Sequence, residues 1–245
     1  MKILVIPDIH VRHILAEKII SYVGPCDQII FLGDYFDQWF DTPEHNEKTA
    51  IWLKESLKNP NRIHLIGNHD VSYIANGARQ YFCSGYTFEK NQSINSILNW
   101  DDWSKMKVYH LHENILLSHA GLSKFYHDKF NKNGKEFISF LEDEAKAAVL
   151  ALKSAAPKTP CHRLFEAGPD RGGKGLVGGI TWCDLRNFVP VGNYTQIFGH
   201  TETDEPYIGE KFCSIDTNLR NFILIEDGKI TIKKIIITKE NVTVS

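Results

Sequence analysis

Five short apolar runs in this 245-residue chain share one ending: a proline, glycine or serine, and then carboxylate, amide or imidazole side chains. Apolar runs of this length between such breaks are typical of buried strands. In open α/β sheets, ligands bind in the crevice at the carboxyl ends of the strands, so polar side chains at those ends predict a site. The side chains concerned are those of Asp8, His10, Asp34, Asp37, Asn68, His69, Asp70, His119 and His200.

Helical segments separate the first three runs. Leu15, Ile19 and Val23 recur near helical spacing after the first run, and a Gly-Pro pair follows them. The pair Thr42-Pro43 before the next periodic segment is typical of a helix start. This alternation of strands and helices predicts a sheet with helices packed against it.

The C-terminal part has a different pattern, in which short β runs follow one another. These runs cover residues 206–215, 221–226 and 230–238, and Asp227-Gly228 predicts a hairpin turn between the last two. Consecutive strands joined by short turns pair in antiparallel fashion. The second half therefore adds antiparallel strands to the parallel pairing that the first half predicts.

The middle of the chain is predicted to be mostly helical. Residues 71–106 are rich in aromatic side chains that we assign to the core, and residues 136–152 carry an apolar helical stripe. The whole pattern predicts an α/β fold with α+β character, in which two mixed β-sheets pack as a sandwich flanked by α-helices. Because no repeat, low-complexity tract or linker interrupts it, we predict a single domain over residues 1–245.

Composition narrows the class of protein. Hydrophobic residues make up 42% of the chain, enough for a core, and a net charge of -2 predicts no basic surface for nucleic acid. No apolar run approaches the roughly 18 residues that cross a membrane, and Pro7 and Asp8 stop the first run too early for a secretory signal. We expect a cytoplasmic protein without membrane or nucleic-acid partners, and its oligomeric state stays open.

The side chains at the five strand ends share one chemistry, which is metal binding. Structural roles at five separate strand ends would not require ligand-type residues at every one of them. Imidazole, carboxylate and amide ligands in one set suit manganese, iron, nickel or zinc better than calcium. The sequence therefore predicts a site for divalent metal ions.

The order of these motifs resembles that of the calcineurin-like metallophosphoesterase superfamily. The motifs are Asp8-x-His10, Gly33-Asp34-x-x-Asp37, Gly67-Asn68-His69-Asp70, His119 and Gly199-His200, and with Glu202 they span positions 8 to 202. The closer likeness is to the serine/threonine-phosphatase-type branch, which also contains bacterial and phage phosphatases and diadenosine-tetraphosphate hydrolases. Each motif is weak alone, but their joint order is specific.

The resemblance implies a centre of two divalent metal ions, with manganese as first choice and iron, nickel or zinc as alternatives. It makes Asp8 and His10 ligands of one metal and assigns Asn68, His119 and His200 to the other. Asp34 would bridge the two.

The resemblance also implies a mechanism. A hydroxide that bridges the two metals attacks phosphorus in line, without a covalent intermediate. His69 matches the general acid that protonates the leaving oxygen, and Asp37 matches the carboxylate that orients this imidazole. Asp70 is assigned to a supporting or turn role outside the ligand set.

Three positions depart from the family pattern. Gln38-Trp39 stands where phosphatases of this type usually have Arg-Gly, so a phosphate-binding arginine is missing. Val11 replaces a glycine, and Glu202 takes the place of a second histidine that many members carry after His200. Glu202 is either solvated or an extra metal ligand.

Arg171 and Arg186 are the candidates to replace the missing arginine, because guanidinium binds phosphate in a bidentate manner. Arg186 ends a Trp-containing segment, residues 180–186, that resembles one found in the same branch. Arg171 lies in the glycine-rich stretch 168–175, which is close to a P-loop but has glycine where the magnesium-binding Ser or Thr would stand. We interpret this stretch as a loop, either a plain surface loop or one that brings Arg171 or Lys174 to the substrate.

The function implied is that of a metal-dependent phosphatase that hydrolyses phosphate monoesters, with phosphoproteins or nucleotides as substrates. A phosphodiesterase or a diadenosine-tetraphosphate-type hydrolase is the alternative within the family. The alternative from another class is a non-catalytic metal-binding module.

Overall fold

The computed structural model describes residues 1–237 and 242–244, and in this part of the chain there are eleven β-strands and seven α-helices. The strands are β1 (Lys2–Ile6), β2 (Gln28–Phe31), β3 (Arg62–His64), β4 (Tyr109–His112), β5 (Ile115–Ser118), β6 (Thr195–Phe198), β7 (Tyr207–Gly209), β8 (Phe212–Ser214), β9 (Asn221–Glu226), β10 (Lys229–Ile237) and β11 (Val242–Val244). The helices are α1 (His13–Val23), α2 (Pro43–Ser56), α3 (Asn68–Ile74), α4 (Phe88–Ile97), α5 (Trp100–Trp103), α6 (Lys124–Phe130) and α7 (Phe137–Lys153).

The strands form two mixed sheets, which confirms the predicted architecture. The first sheet has six strands in the order β11-β10-β9-β1-β2-β3, and the second has five in the order β4-β5-β6-β8-β7. Strands β1, β2 and β3 run parallel, as do β5, β6 and β8, whereas the remaining pairs are antiparallel. Each sheet thus has a parallel core of three strands with antiparallel strands at its sides.

Side-chain alternation along the strands separates the two layers of core. Ile3 and Val5 of β1 pack in a cluster with Ile115 and Leu117 of β5, so this cluster lies between the two sheets. Leu4 and the other alternate residues of the strands pack in a second cluster with the helices. Both faces of the parallel strands are therefore buried, as expected for apolar runs without polar alternation.

Three local features differ from expectation. β4 was not predicted, because its sequence Tyr109-His110-Leu111-His112 is half-buried at an edge of its sheet and has no apolar run. α6 was not predicted either. Asn68, His69 and Asp70 form the first turn of α3 instead of an isolated turn after β3. The predicted run 230–238 corresponds to β10, except that position 238 lies outside the described residues.

The parallel cores place six strand ends at one edge of the sandwich. Because β1, β2 and β3 run parallel, the segments after them leave the first sheet at the same edge, and the same holds for β5, β6 and β8 in the second sheet. The residues predicted as ligands follow five of these six strands. No helix among the described residues has the length and apolar character needed to cross a bilayer.

Candidate metal centre and active site

Two groups of metal-ligand side chains meet at this edge and share one residue. Asp8, His10 and Asp34 have ligand atoms within 4.8 Å of one another, and so have Asp34, His119 and His200. Oδ2 of Asp34 lies 3.7 Å from Nε2 of His10 and 3.3 Å from Nε2 of His119. Asp34 thus stands between the two groups, where a bridging ligand is required.

Asn68 completes the second group. Its Oδ1 lies 2.8 Å from Nε2 of His119 and 2.8 Å from Nδ1 of His200, while its Nδ2 donates to Sγ of Cys83 at 3.2 Å. The side-chain oxygen therefore points into the site and the nitrogen points away. All six residues predicted as metal ligands are brought together.

The backbone at the strand ends adopts conformations that aim these side chains. His10, Asp34 and His200 have φ of 42°, 50° and 68°, in the left-handed region that non-glycine residues seldom occupy. Such conformations cost about 1 to 3 kcal/mol each and cluster at functional sites. A Cβ at Gly67 would collide with Oδ1 of Asp34, and one at Gly199 with Oδ1 of Asp8, so both positions require glycine.

Asp70 binds backbone and not metal-ligand side chains, in line with its predicted supporting role. Its carboxylate accepts N–H groups from Asp34 at 2.9 Å, Tyr35 at 2.9 Å and Gly67 at 2.8 Å. These three bonds join the segment after β2 to the segment after β3. Asp70 consequently holds the bridging residue Asp34 in place relative to Asn68.

The electrostatics of the site favour metal binding. Burial lowers the pKa of His10, His119 and His200, which favours the neutral imidazole that presents a lone pair to a metal. Burial acts to raise the pKa of Asp34, but the surrounding histidines outweigh it and lower that pKa. Burial, together with the nearby carboxylates of Asp216 and Asp34, raises the pKa of Asp8.

One buried atom tests whether a metal fits. Nε2 of His200 is buried without a hydrogen-bond partner, which costs free energy unless another group binds it. Nδ1 of His119 donates to the carbonyl oxygen of Leu32 at 3.0 Å, the kind of hydrogen bond that orients a ligand imidazole and leaves its other nitrogen free for a metal. The residues present therefore fit a divalent metal ion.

His69 and Asp37 lie beside the metal-ligand groups. Nδ1 of His69 lies 3.0 Å from Oδ2 of Asp37, and the backbone N–H of His69 donates to Oδ1 of Asp34 at 2.9 Å. Burial acts to lower the pKa of His69, but the charge of Asp34 and the hydrogen bond that Asp37 accepts outweigh it and raise that pKa well above its usual value. These contacts favour the protonated imidazole, the form that can donate a proton.

An open cavity of about 380 Å³ lies over this edge. It is lined by His10 and His69 on the metal side, and by Arg171 and Glu202 at its walls. Glu202 is exposed and lies outside both groups of metal-ligand side chains in the described part of the chain. Its use as an extra ligand finds no support in this arrangement.

The two candidate arginines lie in different places. Arg171 lines the cavity, where its Nη2 donates to Oγ1 of Thr201 at 2.5 Å and its Nε lies 2.8 Å from Oδ2 of Asp184. Arg186 binds the same Asp184 through Nε at 2.9 Å and Nη2 at 3.0 Å, but its side chain is 71% exposed and does not line the cavity. The structure brings Arg171 to the site and leaves Arg186 outside it.

The glycine-rich stretch does not form a phosphate cradle. The amides of Gly172, Gly173 and Gly175 donate to carbonyl groups of Pro169, Gly168 and Ala167, so they are not available to a ligand. The stretch is instead a tightly packed loop that presents Arg171.

Two further cavity residues were missed by sequence reasoning. Arg12 lines the cavity two residues after His10, with Nε donating to Ile9 O and Nη1 to Asn218 O. Asp216 follows β8, and burial raises its pKa to about 6. A weaker signal for Asp216 was available, because the run Phe212-Cys213-Ser214-Ile215 leads into this carboxylate, although no proline, glycine or serine stands directly before it.

Solved structures are similar to this chain at low sequence identity, and the first of the two named here shares its fold. A cold-active protein-tyrosine phosphatase of the psychrophile Shewanella sp. is 13% identical, with a TM-score of 0.58, and the match covers 96% of this chain and 76% of that chain. A metallophosphoesterase from Sphaerobacter thermophilus is 13% identical, with a TM-score of 0.47, and the match covers 97% of this chain and 90% of that chain. No curated protein matches the chain at a significant level.

The family itself follows from the sequence match together with the site. The model of the calcineurin-like phosphoesterase family matches residues 1–202, which include all six candidate ligands and His69. Members of this family are in general phosphoester hydrolases that use divalent metals. This chain belongs to the calcineurin-like phosphoesterase family.

Proposed function

We propose that this protein is a phosphatase that hydrolyses phosphate monoesters with the help of two divalent metal ions. The observation that carries the proposal is the position of Asp34, which belongs to both groups of metal-ligand side chains and lies directly beside the proton donor His69. Asp8 and His10 would hold one ion together with Asp34. Asn68, His119 and His200 would hold the other with the same carboxylate.

Bound metal ions would supply the positive charge that activates water for attack on phosphorus and offsets the charge of the phosphate. The protein's own residues supply the rest. His69, whose contacts favour its protonated form, donates its proton to the leaving oxygen, and Asp37 keeps the imidazole oriented through its 3.0 Å contact with Nδ1. Arg171 and Arg12, which line the same cavity, bind the phosphate oxygens in place of the missing family arginine.

The leaving group has room beside the phosphate. A second cavity of about 480 Å³ adjoins the first and shares Ser84 and Arg171 with it. Phe82, Trp182 and Lys174 also line it, so it offers aromatic surface and one more cation. These features favour a substrate larger than inorganic phosphate, such as a phosphopeptide or a nucleotide. Manganese is the first candidate metal, and we place the activity in the cytoplasm.

The test starts from metal-stripped protein that is titrated with manganese, nickel, zinc or magnesium. We expect p-nitrophenyl phosphate hydrolysis to saturate at two equivalents of metal per chain. Rates on bis-p-nitrophenyl phosphate and diadenosine tetraphosphate should be at least about tenfold lower, a difference of roughly 1.4 kcal/mol in activation free energy.

Two results would contradict the proposal. A higher rate on the diester or on the dinucleotide would assign the protein to the alternative hydrolase classes. Binding of two metal ions without turnover of any of the three esters would instead favour a metal-binding module without catalysis.

A further inference from the structure

A buried lysine lies behind the pair His69–Asp37. Lys90, from the first turn of α4, is 6% exposed and lies 53 positions from Asp37 in the sequence. Its Nζ lies 3.1 Å from Oδ1 of Asp37 and 2.5 Å from Oδ1 of Asp41, and it donates to the carbonyl oxygen of Gly85 at 3.0 Å. The three N–H groups of the ammonium therefore have three acceptors. Such a complete set is required for a charge at this depth.

Asp37 is held on both of its oxygens. Oδ2 faces Nδ1 of His69, whereas Oδ1 accepts from the hydroxyl of Tyr73 at 2.6 Å as well as from Lys90. The two donors on Oδ1 come from different helices, α3 and α4. Together they leave the carboxylate a single orientation, with Oδ2 toward the imidazole.

The groups around Lys90 are also held in place by hydrogen bonds and close packing. Oδ2 of Asp41 accepts from Nδ2 of Asn46 at 2.6 Å, so the second carboxylate is fixed as well. Gly85 has φ of 90°, and a Cβ at this position would lie 2.9 Å from Cβ and Cγ of Asp37. Burial acts to lower the pKa of Lys90, but its two carboxylate partners outweigh it and raise that pKa, so the lysine stays charged.

We propose that Lys90 and Tyr73 are positioning residues for proton donation by His69, a role that rests on the proposed phosphatase function. Neither residue lines the cavity over the metal-ligand groups, so neither touches the substrate. They act through Asp37, whose orientation sets the direction of the imidazole and hence of the proton that it donates. A purely structural role would instead tie the segment after β2 to α4 without any effect on proton transfer.

The leaving group of the substrate separates these two roles. An alkoxide must be protonated as it departs, whereas 2,4-dinitrophenolate leaves as an anion and gains little from a general acid. Loss of a positioning residue should therefore slow alkyl phosphate hydrolysis much more than dinitrophenyl phosphate hydrolysis. Loss of a structural residue should slow both to the same degree.

The experiment compares kcat for β-glycerophosphate and 2,4-dinitrophenyl phosphate in the manganese-loaded full chain. We expect Lys90→Met to lower kcat on the alkyl ester about 10-fold to 100-fold, the usual range for supporting hydrogen bonds, and to change kcat on the aryl ester by less than about 3-fold. Tyr73→Phe removes one hydroxyl only and should shift the ratio in the same direction by a smaller factor. Both variants should still bind two metal ions per chain.

Two further variants secure the interpretation. Lys54→Met is the matched control, because Lys54 also pairs with a buried carboxylate, Asp102, but donates to Ile97 O far from the metal-ligand groups. It should leave the ratio of the two rates unchanged. If Lys90→Met fails to fold, the ratio of rates in Tyr73→Phe tests the positioning role. The double variant Lys90→Met/Asp41→Asn tests it as well, because it removes the buried charges of Lys90 and Asp41 together.

Each outcome has one meaning. Selective loss on the alkyl ester supports the positioning role. An active wild type whose variants keep the wild-type ratio of rates overturns this role and leaves the phosphatase function intact. A metal-loaded wild type that turns over neither ester rejects the proposed function and the positioning role with it.

Discussion

The site has two halves that are held in different ways. In the metal half, all six candidate ligands lie within four residues of the end of a parallel strand, and their positions follow from strand pairing. In the substrate half, the residues around the cavity and behind Asp37 come from helices and loops, as Arg171 and Lys90 do. The metal half is positioned by the strands of the two sheets, and the substrate half by the helices and loops that pack around them.

This difference has a physical cause. Backbone hydrogen bonds between strands hold each strand end at a set distance from its neighbour, so a side chain that follows a strand directly has little freedom. Asp70 adds three more bonds between such segments. Side chains of the substrate half depend on packing between elements distant in sequence, which local pattern does not record. The halves should therefore respond differently to substitution.

The largest effect is expected from Asp34→Asn in the metal half. This change weakens a ligand that both groups share, so we expect less than two bound metal ions per chain and a loss of activity of about 1000-fold, or roughly 4 kcal/mol in activation free energy. Metal content measured by mass spectrometry and kcat/KM for p-nitrophenyl phosphate check it. Full metal content with wild-type activity would show that Asp34 does not bridge.

His69→Asn should separate the halves, because it removes the proton donor and no metal ligand. We expect both metal ions to remain bound, while kcat on an alkyl phosphate falls about 100-fold to 1000-fold, within the range of about 100-fold to 10,000-fold that a general acid contributes. Metal content per chain, measured together with the rates of hydrolysis of alkyl and aryl phosphate esters, checks this prediction. A variant that loses metal instead would place His69 in the metal half.

The two arginines provide a matched pair in the substrate half. Arg171→Ala should lower kcat/KM about 10-fold to 100-fold, since it removes a charged hydrogen-bond donor that lines the cavity. Arg186→Ala should change it less than about 2-fold, because that side chain is exposed outside the cavity, and a 2-fold change corresponds to only roughly 0.4 kcal/mol. Steady-state kinetics on one monoester decide between them. Equal effects would contradict the assignment of Arg171 as the phosphate-binding arginine.

A smaller effect concerns the stability of the strand that leads into the metal half. His64 of β3 is buried against Phe31 and hydrogen-bonded to Ser56 Oγ and Tyr35 Oη, and burial lowers its pKa to about 3. His64 therefore stays neutral in the folded state at pH values below about 6.5, where the same side chain is protonated in the unfolded chain. The free energy of unfolding should fall as pH decreases from about 6.5 toward 3, by up to roughly 1.4 kcal/mol per pH unit from this group.

Urea unfolding of the metal-free protein at several pH values measures this slope. In His64→Gln, the change in the free energy of unfolding per pH unit should be smaller than in the wild type by the contribution of one titrating group. His45→Gln, at an exposed position of α2, should show the same dependence on pH as the wild type. If His64→Gln keeps it too, another group is responsible for the acid sensitivity.

Much of the fold was predictable from local pattern. Gly24 after α1, Thr42-Pro43 before α2 and Asp227-Gly228 between β9 and β10 mark element ends by their own backbone preferences. β4 was missed because a half-buried edge strand needs no apolar run, and pairing with β5 decides its conformation.

By itself the sequence determined the metal half: five apolar runs that stop at a turn residue and then present ligand side chains suffice, because parallel strand ends must share an edge. Asp216 also follows a short strand run but lacks the turn residue before it, which is why the pattern did not include it. The tertiary structure alone decided the substrate half. The sequence did not distinguish Arg171 from Arg186 as the phosphate-binding candidate. The packing of their loops around Asp184 places Arg171 at the cavity and leaves Arg186 outside it.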